Sequence, residues 1–126
     1  GAMTTDPVYA ANALAAVDEL MAQAEIWVAE CRARGLPVAG VGAAVASGPL
    51  LVGAVGDADR LEYTVIGEPV NLAAKLEKHT KTEKARALTD AATYDLARAQ
   101  GYTRELERRR SLVAGVEGPV DLVVLA

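Results

Sequence analysis

The sequence predicts an α+β fold, a sheet with helices on one face. Two observations carry that prediction. Read along the chain, the order of elements is helix, two strands, helix, strand, helix, two strands, which suits a sheet layered against helices. Of the 126 residues, 52% are hydrophobic, enough for one folded, soluble-type domain with a real core. Ala and Val carry that apolar load, because the chain has no Phe.

Each element has its own signal. Asp6-Pro7 offers a capping carboxylate and a proline at the first helical position. Leu14, Val17, Met21, Ala24, Trp27 or Val28, and Cys31 then recur at helical spacing, and Gly35 with Pro37 ends a long helix over 7–34. Val38 to Ala46 and Leu50 to Val55 read as strands of a hairpin over 38–55, turning at Ser47-Gly48-Pro49. Both are apolar on both faces, as central covered strands are. Gly56-Asp57-Ala58-Asp59 reads as a turn, and Leu61 to Ile66 extends again. Pro69 opens a helix reaching about Thr80, so a strand-helix unit spans 60–80. The C-terminal part, 86–126, holds a short strand around Ala87-Leu88, a helix capped by Asp90 and closed by Gly101, and two strands. Those strands are Tyr102 to Val113 and Val120 to Leu125, joined through Gly115-Val116-Glu117-Gly118-Pro119.

The totals exclude several classes of function. A net charge of −4 argues against nucleic acid as a partner. Arg108-Arg109-Arg110 lies beside Glu105 and Glu107 and reads as a solvated strand or loop. The single cysteine, Cys31, rules out an internal disulfide framework and fits a reducing, cytoplasmic compartment. Cys31 is expected to face the core, Trp27 to pack or to meet a partner, and His79 to sit at the exposed end of its helix rather than act as a ligand. No charge falls between Leu36 and Gly56, a length that could span a bilayer. Pro37, Ser47, Pro49 and five glycines interrupt it, so two buried strands and no membrane segment are expected. Gly1-Ala2-Met3 looks like a cloning scar, no secretory signal follows it, and 4–126 is read as the folding unit.

The most informative stretch is Arg60 to Glu77. A strand through Tyr63-Thr64-Val65-Ile66 passes Gly67 into a helix that carries Asn71 and Lys75 one turn apart, on one face. An amide and a cation presented together suit a phosphate or a developing oxyanion. Alone, Asn71 also fits a solvated helix residue, Lys75 a surface lysine and Thr64 an ordinary β-former.

Three blocks sharpen this reading: Gly48-Pro49-Leu50-Leu51-Val52-Gly53-Ala54-Val55-Gly56, Arg60 to Gly67, and Val70-Asn71-Leu72-Ala73-Ala74-Lys75-Leu76-Glu77. In type and spacing they resemble the class III adenylate/guanylate cyclase catalytic domain. The tail from Gly115 to Leu122 is similar to the family's closing strand pair, and similarity of order runs from about Tyr9 to Ala126. The resemblance implies a ferredoxin-like sheet, and conversion of ATP or GTP to a 3′,5′-cyclic nucleotide and pyrophosphate with Mg²⁺ or Mn²⁺. It implies active sites shared across a head-to-tail dimer. By position, Thr64 falls where the family selects the base, leaning towards adenine, Asn71 where it orients the ribose, and Lys75 where an arginine stabilises transition-state charge.

The departures from the family pattern matter as much. The strand and hairpin that carry its two metal-binding aspartates precede the long helix there, and no counterpart is seen in this sequence. Asp57 and Asp59 fit turn chemistry rather than metal binding, so no metal ligand and no bound cofactor are expected in this chain. Lys75 keeps the charge of the arginine without its bidentate fork; losing one such donor costs about 2.7–4 kcal/mol elsewhere. Ala114 stands where the family has a triphosphate-binding lysine, and Ala46 where it has a histidine.

Two readings result. In one, the chain is the N-terminally truncated C-terminal half of a cyclase homology domain, inactive alone, whose parent makes cyclic AMP in intracellular signalling. In the other, it is a degenerate pseudo-cyclase module that dimerises or binds nucleotide without catalysis. Both predict a homodimer or swapped oligomer, since a sheet lacking its first strand presents open apolar edges.

Overall fold

The structure is a computed structural model that describes residues 6–126; the segment read as a cloning scar lies outside the described residues. Nine elements follow in order: α1 (Tyr9–Ala33), β1 (Ala43–Val45), β2 (Leu51–Gly56), β3 (Leu61–Ile66), α2 (Glu68–Glu83), β4 (Ala87–Asp90), α3 (Ala91–Ala99), β5 (Arg108–Leu112) and β6 (Pro119–Val124). Four strands make the main sheet in the order β1-β4-β6-β5, with β1 parallel to β4 and the other pairs antiparallel. β2 and β3 form a separate antiparallel ribbon, with Leu51 opposite Ile66 and Gly56 opposite Leu61.

The helices do not share one face of the sheet. Successive strand residues point to opposite faces, and here both faces are apolar. Ala87 and Val123 pack with Ala10, Leu14 and Met21 of α1 and Tyr94 and Ala97 of α3. Leu88 and Leu122 pack instead with Leu76 of α2 and with Val113. Thus α1 and α3 cover one face and α2 the other, which corrects the single-face arrangement expected from element order.

The hairpin expected over 38–55 does not form. Val38 to Gly42 is irregular, β1 pairs with β4, and β2 pairs with β3. Side-chain chemistry at the intended turn explains this. The Ser47 N–H donates to Thr93 Oγ1 at 3.1 Å and the two hydroxyls lie 2.9 Å apart, which draws the end of β1 towards α3. Gly48, at φ +149°, then lets the chain pass over Pro69, whose Cγ would lie 2.9 Å from any Cβ there. The segment crosses between two sheets instead of reversing within one. β2 is therefore not a covered central strand, and Leu51 stays 74% exposed.

Smaller differences have local causes. The Asp6 carboxylate accepts from Val8 N–H at 2.9 Å and from Asn12 Nδ2 at 2.8 Å, outside the helix proper, and those bonds hold its pKa below the usual carboxylate range. The first amides of α1 are capped from elsewhere: Ala10 and Ala11 donate to Gln100 Oε1 at 2.7 and 3.1 Å. Asp90 does cap α3, accepting from Thr93 N–H at 3.2 Å. The strand expected over 102–113 is confined to β5, because Tyr94 OH donates to Arg104 O at 2.6 Å and accepts from Leu106 N–H at 3.2 Å. These bonds replace ladder bonds in that segment. His79 is buried, not at an exposed end; Trp27 is half-exposed; Cys31 is only partly covered. No helix among the described residues is long and apolar enough to cross a membrane, and Leu36 to Gly56 is loop and strand.

Candidate functional site

Helix α2 starts directly from β3. Gly67 connects them, Pro69 occupies the first turn, and Asn71 N–H donates back to Gly67 O at 3.3 Å. Two bulky residues of this helix, Leu72 and Leu76, turn inward to the cluster with Leu88 and Leu122. That burial fixes the helix rotation and leaves Asn71 and Lys75 on the flank facing the β5–β6 turn.

Between them lies an open cleft of about 640 Å³. Its walls are Ser47-Gly48-Pro49 after β1, Glu68, Pro69, Asn71, Leu72 and Lys75 of α2, and Gly115-Val116-Glu117 of the turn. Asn71 is exposed on the cleft wall. Lys75 Nζ donates to Gly115 O at 2.7 Å, so the one cation that lines the cleft among the described residues is seated against the turn next to Ala114. Gly115 has φ +84°, and a Cβ there would lie 3.1 Å from Lys75 Cε. The positive φ favours glycine at this turn, and a side chain there would also press on the lysine.

Asn71 and Lys75 therefore come together as the spacing predicts, and Thr64 does not join them. Thr64 lies in β3 opposite Gly53, exposed on the ribbon, and does not line the cleft. Sequence reasoning missed Glu68 and Glu117, which place two carboxylates on the walls beside one ammonium. Glu68 adjoins the motif and could have been noticed there. Glu117 carries no local signal, since only folding brings the turn to α2.

The two aspartates that follow β2 serve their own turn. Asp57 Oδ1 accepts from the N–H groups of Asp59 and Arg60 at 2.9 and 3.0 Å, so it closes its own turn. Among the described residues, no three His, Cys, Asp or Glu side chains are arranged to hold an ion.

Below the cleft, α2 carries a second polar group. His79 Nε2 lies 2.8 Å from Glu83 Oε2 and 3.1 Å from Ser111 Oγ, and Ser111 Oγ donates to the same carboxylate oxygen at 2.8 Å. Arg109 Nη1 donates to Glu83 O at 2.6 Å. Ser111 above all, then His79 and Arg109, hold the Glu83 carboxyl below the usual carboxylate range despite its burial.

The chain has a class III adenylyl/guanylyl cyclase catalytic-domain-like fold. It aligns with the crystal structure of the guanylyl cyclase Cya2 at a TM-score of 0.74 and 22% identity, over 98% of this chain and 61% of that one. It aligns with the adenylyl cyclase CyaB from P. aeruginosa at 0.63 and 26% identity, over 89% of this chain and 57% of that one. No family model matches. In sequence, the chain is 38% identical over 87 residues to the uncharacterized protein Rv1318c of Mycobacterium tuberculosis, covering 69% of this chain and 16% of that protein. Over 70 residues it is 40% identical to the uncharacterized protein Rv1319c of the same organism, covering 56% of this chain and 13% of that protein. The chain thus spans well under a fifth of the length of these relatives.

Proposed function

We propose that this cyclase-like module supplies Asn71 and Lys75 to a shared nucleotidyl cyclase site, and that its parent protein converts ATP to cyclic AMP and pyrophosphate in intracellular signalling. The observation that carries the reading is the pairing of Asn71 and Lys75 on one face of α2, across an open cleft, in a cyclase-like fold. In that reaction the 3′-oxygen bonds to the α-phosphorus and the bond to pyrophosphate breaks. The Asn71 amide would hold the ribose, and the Lys75 ammonium would neutralise charge building on the phosphoryl oxygens. Thr64 reaches the base in this scheme only through an assembled partner. Mg²⁺ or Mn²⁺ would have to be held by carboxylates outside this chain, so the chain alone is expected to be inactive.

A second copy of the parent, carrying this chain together with the missing carboxylates, is the partner this reading needs. The β2–β3 ribbon supports it, with Leu51, Leu61 and Tyr63 exposed by 74%, 71% and 64%. A homodimer or swapped oligomer, in a cytoplasmic setting, follows from the proposal.

A pseudo-cyclase is the second reading, and the cleft's charges favour it. Glu68 and Glu117 outnumber Lys75, and Ala114 adds no cation. Such a cleft opposes a triphosphate unless other groups neutralise it. The deciding experiment measures cyclic AMP formation from ATP with Mg²⁺ or Mn²⁺, for the chain beside its full-length parent. An active parent and a silent chain support the cyclase reading. Silence from both refutes it in favour of the pseudo-cyclase.

A further inference from the structure

Asn71, Lys75, His79 and Glu83 follow one another at four-residue spacing, so they form one ridge along α2. The last three dock on the β5–β6 hairpin. Lys75 reaches the turn at Gly115 O, while His79 and Glu83 both reach Ser111, and Arg109 reaches back to Glu83 O. Arg109 and Ser111 alternate with the more exposed Arg108 and Arg110, which puts both on the helix-facing side of β5. The hairpin is therefore pinned to the helix at two levels, the lower one largely buried.

The lower level is not a catalytic relay. In a relay the histidine bridges, one ring nitrogen to the carboxylate and the other to the hydroxyl. Here Nε2 alone makes both contacts, and the hydroxyl donates directly to the carboxylate. A carboxylate only accepts, so Nε2 carries the proton and Glu83 Oε2 gathers two donors. That arrangement holds position and moves no proton.

We infer that His79, Glu83 and Ser111 are positioning residues: a latch that seats the β5–β6 hairpin on α2 and so fixes where Lys75 presents its ammonium. Only three residues separate Ser111 from Gly115, with Val113 buried against Leu76 among them. Moving β5 away from α2 moves the carbonyl that holds Lys75. The consequence for nucleotide chemistry rests on the proposed function; the latch itself does not.

The test uses the whole chain and needs no ligand. Val116 N–H donates to Val113 O at 3.0 Å across the turn, so its amide exchange reports the turn's integrity. Ser111→Ala and His79→Leu each remove a donor to a partly buried carboxylate. Each is expected to speed Val116 exchange about tenfold or more and to shift the Gly115 resonance, while exchange at Gln100 in the α3 cap stays unchanged. Ser111→Thr and His79→Gln keep a donor and are expected to restore both signals. If His79→Leu fails to fold, the serine pair decides alone. Unchanged Val116 exchange and an unmoved Gly115 resonance in folded Ser111→Ala overturn the latch, as does a general rise that includes Gln100. Titration of the unsubstituted chain with Mn·ATP tests nucleotide binding separately, so the two failures are distinguishable.

Discussion

Gly115→Ala puts a number on the contact that seats Lys75. The substituted residue must hold φ +84°, where an L side chain costs about 1–2 kcal/mol. Its Cβ would sit 3.1 Å from Lys75 Cε and 3.5 Å from Cδ. The lysine tip is flexible and can move aside, but doing so gives up the 2.7 Å bond to Gly115 O, worth about 1 kcal/mol net. The expected loss is therefore about 2–3 kcal/mol, read by urea unfolding at neutral pH. In a Lys75→Ala background the crowding vanishes and only the backbone cost of about 1–2 kcal/mol remains. A coupling of about 1 kcal/mol should thus emerge from the four proteins. A Gly115→Ala penalty below about 0.5 kcal/mol would refute the strain argument. An equal penalty in both backgrounds would show that the lysine contact contributes nothing.

Other expectations follow from the same geometry. Glu83 has a folded-state pKa below its ordinary 4.5, so its contribution is complete above 4.5 and is lost as pH falls through the lower folded value. Glu83→Gln should flatten that acid limb in thermal melts and lower stability at neutral pH; an unchanged limb contradicts the assignment. Burial, and the Tyr102 OH bond to Asp18 Oδ2 at 2.6 Å, raise the Tyr102 phenol from 10.0 to about 12. Its contribution is therefore present below pH 10.0 and lost as pH rises towards about 12, and Tyr102→Phe should abolish that alkaline loss in the same melts. On the ribbon, Leu61→Glu should weaken self-association at least tenfold in sedimentation, since burying one leucine is worth about 1.5–3 kcal/mol. A chain that stays monomeric at high concentration sinks the dimer.

Local features were legible in the sequence, and long-range ones were not. Asn71 and Lys75 share a face because their spacing alone settles it, and the Asp90 cap needs only three following residues. The hairpin at 38–55 misread a similar local signal. Ser47-Gly48-Pro49 has turn composition, but Thr93, forty-six positions away, takes the Ser47 N–H. His79 shows the same limit: its partner Ser111 lies thirty-two residues on, and nothing nearby marks a polar residue that will be buried. The two-faced sheet could have been read from the unbroken apolar runs at Ala87-Leu88 and Leu122-Val123, which need cover on both sides. Element order alone pointed the other way.

The charge balance of the cleft gives the two functional readings opposite consequences at Ala114. This residue is exposed and precedes the carbonyl that already takes the Lys75 ammonium. Ala114→Lys adds an ammonium beside a cleft whose two carboxylates outnumber Lys75, so the free chain should keep its stability. The added cation opposes the carboxylates' repulsion of a polyphosphate, so stabilisation by Mn·ATP should exceed that of the unsubstituted chain, with Lys75→Arg adding a bidentate grip. If the cleft descends from a working cyclase site, the full-length parent carrying both changes should gain cyclic AMP formation. If phosphate never enters here, Mn·ATP stabilises Ala114→Lys no more than the unsubstituted chain, and the double variant gains nothing. The melt and the activity assay are independent readouts of one charge, so agreement between them would separate an eroded enzyme from a binding module.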